Sequence, residues 1–136
     1  MKNRRKLSIF ALIFIVAACI GLASCSDSNS VVAYDIPEKL WGDYKGLETL
    51  KISRHEIILE DERLEEYFGF VYGRISDFSQ KSPSDTSYQC SMKVTWEGQT
   101  YSIEIRASLS GDTLSFTVES INPIREIMQE NFTKIS

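Results

Sequence analysis

Tyr88-Gln89-Cys90-Ser91-Met92-Lys93-Val94-Thr95-Trp96 alternates apolar and polar side chains without a break. A β-strand sends successive side chains to opposite faces. Tyr88, Cys90, Met92, Val94 and Trp96 therefore share one face, and Gln89, Ser91, Lys93 and Thr95 the other. That division marks a half-buried antiparallel strand. Glu97-Gly98 follows as a tight turn. The next strand places Tyr101, Ile103, Ile105, Ala107 and Leu109 inward, with Ser102, Glu104, Arg106 and Ser108 outward. Ser110-Gly111-Asp112 makes a second turn, and Leu114, Phe116 and Val118 line a third strand opposite Ser115, Thr117 and Glu119. Three hairpin-linked strands form a meander.

Outward from this meander the pattern changes. Asn122-Pro123 fits an N-cap followed by proline at the first helical position. Ile124, Ile127 and Met128 stand at i, i+3 and i+4, which predicts a short C-terminal helix to about Glu130. Residues 131–135 then read as a last strand beside the first. Upstream, residues 40–45, 49–52 and 56–60 read as short strands, the last two joined near Arg54-His55. Residues 60–66 are a charged connection with room for one helical turn. Residues 67–78 are aromatic and β-rich, with Gly69 and Gly73 allowing bends. Residues 79–87 read as a polar loop containing Pro83. The expected fold is mostly β: an antiparallel up-and-down barrel of about eight strands with one short C-terminal helix. Closure removes exposed strand edges. An eight-stranded barrel is just wide enough to be filled by side chains or to hold one small ligand. An open sheet or sandwich with the helix over one end is the alternative.

Residues 1–24 have another character. Lys2, Arg4, Arg5 and Lys6 form a basic start, residues 9–20 are an unbroken apolar run of 12, and Gly21, Ala23 and Ser24 are small. This is the three-part layout of a cleaved signal peptide. The run is short of the ~20 apolar residues that a spanning helix needs. Leu22-Ala23-Ser24-Cys25 resembles the lipobox of bacterial lipoproteins: an aliphatic residue, two small residues, then cysteine. The resemblance implies that Cys25 takes a diacylglyceryl group on sulfur and becomes the mature N-terminus. Each buried acyl CH₂ contributes about 0.8 kcal/mol, and two or more chains make a stable anchor. No other cofactor is expected than this covalent acyl lipid. Ser26-Asp27-Ser28-Asn29-Ser30 has no apolar surface to bury and reads as a tether. The expected organisation is a signal peptide at 1–24, lipidated Cys25 and a tether at 25–34, and the β domain at 35–136.

Loss of the leader changes the charge and the cysteine count. Removing its four positive charges from a net −4 leaves −8 on the mature chain. An acidic domain is a poor nucleic-acid binder and is repelled by anionic head groups, so attachment to a membrane rests on the lipid. Of three cysteines, Cys19 leaves and Cys25 is acylated, so Cys90 stands alone and no internal disulfide forms. In lipoproteins sorted as in enteric bacteria, Ser26 after the lipid cysteine, rather than Asp, implies the outer membrane of the cell envelope.

Leu40-Trp41-Gly42-Asp43-Tyr44-Lys45-Gly46 resembles the first strand of lipocalin-like and fatty-acid-binding-like barrels, where a Gly-x-aromatic element plugs one end. Gly42 and Tyr44 take the glycine and aromatic places; the departure is that Trp41 precedes the glycine. The resemblance implies a small apolar ligand. Tyr88-x-Cys90 in a small anchored β domain resembles the lipoprotein lysozyme inhibitors, although those pair their cysteine with another.

Catalytic chemistry has little to draw on. The single histidine, His55, falls in an expected turn, and its neighbour Glu56 points to the opposite face of a strand. A catalytic triad needs three converging groups. Cys90 lies on an apolar face, where a thiol stays protonated. No Cys-x-x-Cys, His-x-x-x-His or calcium loop is present. Glu60, Asp61, Glu62, Glu65 and Glu66 read as a solvated loop, with a weak cation site or a basic partner as the sharper alternative. The aromatics Trp41, Tyr44, Phe68, Phe70, Tyr72, Tyr88, Trp96 and Tyr101 either fill the barrel or line a pocket at its open end. On the second reading Trp41, Tyr44, Phe70, Tyr72, Tyr88, Trp96 and Tyr101 are the ligand-binding residues. The expectation is a non-enzymatic, lipid-anchored protein that binds a small apolar or amphipathic ligand. The alternative is a protein-interaction module: an envelope assembly subunit or an enzyme inhibitor.

Overall fold

The computed structural model describes residues 32–136. The expected signal peptide, Cys25 and the expected tether as far as residue 31 lie outside the described residues. The described residues form nine strands: β1 (Gly42–Lys45), β2 (Thr49–Ile52), β3 (Ile57–Leu59), β4 (Glu62–Arg63), β5 (Arg74–Ser84), β6 (Ser87–Trp96), β7 (Gln99–Ser110), β8 (Thr113–Asn122) and β9 (Ile124–Lys134). One helical turn, α1 (Leu64–Tyr67), and a 3-10 turn, Phe70–Tyr72, join β4 to β5. Another 3-10 turn, Glu38–Leu40, precedes β1.

All strands belong to one antiparallel sheet in the order β4-β3-β2-β1-β9-β8-β7-β6-β5. Two meanders, β1–β4 and β5–β9, are thus joined where the last strand lies beside the first, with Tyr44 opposite Lys134 and Lys45 opposite Thr133. The expected up-and-down antiparallel class holds. The barrel does not close, because β4 and β5 are the two edges and do not pair. Two residues of β4 offer too short a ladder to join the eleven of β5.

The alternation at 88–96 holds through the whole of β6, with Tyr88, Cys90, Met92 and Val94 buried. It continues in β7 and β8 through Ile103, Ile105, Ala107, Leu114, Phe116 and Val118. Together with Tyr44, Phe68, Phe70 and Phe132, these side chains fill the interior.

The C-terminal helix is the main correction: residues 124–134 are strand β9. Met128 lies opposite Val118 and Glu126 opposite Glu119, which leaves Ile127 as a bulged residue. The bulge resets the phase of the alternation, so Ile124, Ile127 and Met128 imitate a helical face. Inward side chains are instead Met128, Glu130 and Phe132, while Ile124 is 90% exposed. Pairing with β8 on one side and β1 on the other outweighs a weak local helical signal.

Two other boundaries move. The polar stretch 79–87 is largely strand, because β5 runs to Ser84 against β6. As an edge strand it tolerates Pro83 and exposed polar residues, and its Lys81, its proline and two register shifts keep a further strand from adding. The aromatic stretch 67–78 is the end of α1, the 3-10 turn and only the start of β5.

Tyr44 of the Gly-x-aromatic element at β1 is a core residue. Tyr44 is fully buried and its hydroxyl donates to the Leu40 carbonyl at 2.7 Å. Gly42 has φ +145°, and a Cβ there would collide with the Ser136 carbonyl oxygen. At the β1–β2 turn the buried Glu130 carboxylate accepts the Leu47 N–H at 2.6 Å. It lies so near Gly46 that an added Cβ would stand 2.7 Å from Oε2.

The strand assignment of the C-terminus makes a divergent pair of mutants. Met128→Ala should lower stability by about 2–5 kcal/mol, the usual cost of emptying a buried site. Ile124→Ala should change it by less than about 0.5 kcal/mol. Urea unfolding followed by circular dichroism checks both, and a helix with Ile124 facing the core would reverse the order.

Candidate functional site

Residues 33–36 run as a strap between β5 and the turn that joins β2 to β3. On one side the Asp35 N–H donates to Gln80 Oε1 at 2.8 Å, and Gln80 Nε2 donates to the Ala33 carbonyl at 3.0 Å. On the other the Ile36 N–H donates to the Arg54 carbonyl at 3.0 Å. His55 Nδ1 donates to the Tyr34 carbonyl at 2.8 Å, and Arg54 Nε pairs with Asp35 at 3.1 Å. Between these contacts Tyr34, 2% exposed, turns inward against Phe78 and Tyr88, both edge-to-face, at 5.9 and 6.5 Å between ring centres. The strap thus ties the long edge strand to the short meander, and α1 packs on β3 and β4 beyond it.

A cleft of about 650 Å³ opens beside the strap. Val32, Tyr34, Trp41 and Ile57 give it an apolar wall, and Ser53, Arg54, His55, Glu56, Arg63 and Glu65 supply polar groups. This volume lies within the range of small-molecule sites. Trp41 is held in the wall by its indole N–H, which donates to the Ile36 carbonyl at 2.8 Å. A smaller hollow of about 220 Å³ lies between β5, β6 and β7, lined mainly by Ser79, Gln80, Lys81, Gln89 and Ser91.

The cleft lining carries two arginines and two glutamates, and they differ in how they are paired. Arg54 is paired with Asp35, and Arg63 with Glu56 at 3.8 Å. Glu65 has no ion pair among the described residues. Desolvation raises its carboxyl pKa above the ordinary 4.5, against opposing contributions from its own backbone N–H, Arg63 and Tyr34. The Tyr34 hydroxyl is buried without an aligned hydrogen-bond partner. Burial pushes its pKa far up and the Glu65 charge adds to this, so the contact between the two is chiefly electrostatic. Behind Tyr34, the Tyr88 hydroxyl donates to Gln80 Oε1 at 2.6 Å. The Cys90 thiol is pushed up to about 12, chiefly by burial, which keeps it protonated.

Of the seven aromatics expected to bind ligand, Trp41 alone lines this cleft. Tyr44, Phe70 and Tyr88 are core residues, each almost wholly buried. Phe70 stacks on Phe68 at 5.7 Å. Trp96 and Tyr101 are half-buried where β6 and β7 meet their turn, away from the β2–β3 turn. Tyr72 is 40% exposed on the 3-10 turn before β5. The seven aromatics do not gather around one pocket: three are core residues, and Trp41 alone lines the cleft.

Tyr34 was assigned to the tether, yet it supplies the centre of the site. A signal was present, since Val32, Tyr34 and Ile36 alternate with Ala33 and Asp35. His55 is exposed in its expected turn but borders the cleft, with a main-chain carbonyl as its partner. Of the acidic run 60–66, Glu65 faces the cleft, while Asp61, Glu62 and Glu66 are exposed. Among the described residues no three His, Cys, Asp or Glu side chains gather as a metal site. No family model, no curated protein and no solved structure matches the chain.

The half-buried Glu65 has a definite consequence for stability. A carboxyl whose folded pKa is raised favours the folded state in its protonated form. That contribution is complete below about 4.5, the unfolded value, and is lost as pH rises through the raised folded value. Glu65→Gln should therefore gain stability over the wild type progressively above pH 4.5. Urea midpoints of both proteins across that range read the difference, and a constant offset with pH would contradict it.

Proposed function

We propose that this chain is a lipid-anchored envelope protein that binds a small amphipathic ligand in the cleft beside its N-terminal strap. The carrying observation is the cleft itself, about 650 Å³, lined by the apolar or aromatic Tyr34, Trp41, Val32 and Ile57 and by charged side chains. An apolar wall takes a hydrocarbon portion and the polar side orients a head group. The ligand sits at the seam of an open sheet, not in the middle of a hollow barrel.

The anchor belongs to the same reading. Leu22-Ala23-Ser24-Cys25 resembles a lipobox, and Val32, which lines the cleft, follows Cys25 by seven residues. Seven residues span at most about 25 Å. A ligand partitioned into the head-group layer of the outer membrane is then within reach of the cleft.

A protein-interaction module is the second reading, and one feature favours it. Ile121 and Ile124 face each other across the β8–β9 hairpin tip, 47% and 90% exposed. Exposed apolar pairs of this kind suit a partner surface.

Mass spectrometry of the protein purified from its native membranes decides the anchor and the ligand together. The expected result is an N-terminal peptide beginning at Cys25 with a diacylglyceryl group, and a co-purifying amphipathic small molecule. A mature chain that begins elsewhere without acyl groups would remove the anchor, and a bare protein would favour the interaction module.

A further inference from the structure

Resting on the amphipath-binding reading, we infer that the cleft selects ligands with a cationic, ammonium-type head, and that Glu65 is the residue that sets this specificity. The inference comes from taking the charges of the cleft in pairs. Arg54 pairs at 3.1 Å with Asp35 of the strap, and Arg63 at 3.8 Å with Glu56, both at the exposed side. Glu65 is the carboxylate left over, and it lines the cleft.

The surroundings of Glu65 point the same way. A half-buried carboxylate with no ion pair of its own carries a desolvation cost that a ligand's cation relieves. Beside it the Tyr34 hydroxyl is buried and lacks an aligned partner, so it does not take up the Glu65 charge with a good hydrogen bond. The half-buried Trp41 borders the same cleft, and aromatic rings attract ammonium groups. Val32 and Ile57 extend the apolar wall for the hydrocarbon part. An anionic head would instead meet Glu65 with both arginines already paired. The acidic domain as a whole adds a long-range bias toward cations.

Three eight-carbon probes separate head-group charge from chain length: octylammonium, octanol and octanoate. Each is titrated into the purified full-length chain, with calorimetry giving affinity and ¹H–¹⁵N shifts at residues 32–36, 53–57 and 63–65 giving location. Octylammonium should bind in the cleft at least about tenfold more tightly than octanol, the ordinary effect of one charged hydrogen bond. Octanoate should bind more weakly than octanol. Glu65→Gln should bring octylammonium down to the level of octanol and leave octanol unchanged.

Equal binding of all three probes in the cleft would overturn the head-group preference while leaving amphipath binding intact. Failure of all three to shift cleft residues would overturn amphipath binding itself. Tighter octanoate would overturn the preference by reversing its sign. The comparison on the unaltered chain stands without the variant, so a poorly folding Glu65→Gln does not spare the inference.

Discussion

A curled sheet that stops short of meeting itself leaves a seam, and here Tyr34 fills it. The two edges, β4 and β5, differ too much in length to form a ladder. The strap replaces the missing ladder with side-chain bonds: Gln80 clasps the backbone of Ala33 and Asp35, and the β2–β3 turn clasps Tyr34 and Ile36. Each bond is individually modest, but together they satisfy backbone groups that would otherwise lie unpaired at the rim of the core. Tyr34 then packs its ring against Phe78 and Tyr88, where water would otherwise reach the interior.

The same constraint produces the cleft. A ladder between β4 and β5 would have consumed the space that Val32, Trp41 and Ile57 now border. Its floor is the aromatic side chain of the strap, and its polar side comes from a turn and from α1. The turn is exposed, and α1 carries Glu65 and Glu66 beside its buried Leu64 and Tyr67. The site thus combines an apolar wall drawn from the core with polar groups drawn from loops. The open seam is also where the chain enters from its N-terminal side, which brings the proposed anchor and the proposed site together.

Much of the fold was readable in advance because β6, β7 and β8 obey a strict two-residue period over long pairings. The last strand beside the first was also readable, since Phe132 and the residues flanking it alternate. The C-terminal helix misled because a bulge at Ile127 breaks the period, and a broken two-residue period near Met128 resembles a helical one. The candidate site was less readable. Large aromatics are equally good as core and as pocket lining, and only their packing partners separate Phe70 and Tyr88 from Trp41. Tyr34 was hidden by the polar tether just before it, although Val32, Tyr34 and Ile36 already carried the alternation. Glu65 was one acid among five until the turn of α1 set it apart from its exposed neighbours.

Native-state hydrogen exchange on Tyr34→Ala addresses the seam directly. If the strap holds the two meanders together, removing this ring speeds exchange of the Ile36 amide and of amides in β3 and β5. Amides at the centre of β7 and β8 then follow only the change in global stability. Unchanged protection in both β3 and β5, in a folded variant, would show that the seam is held by something other than Tyr34.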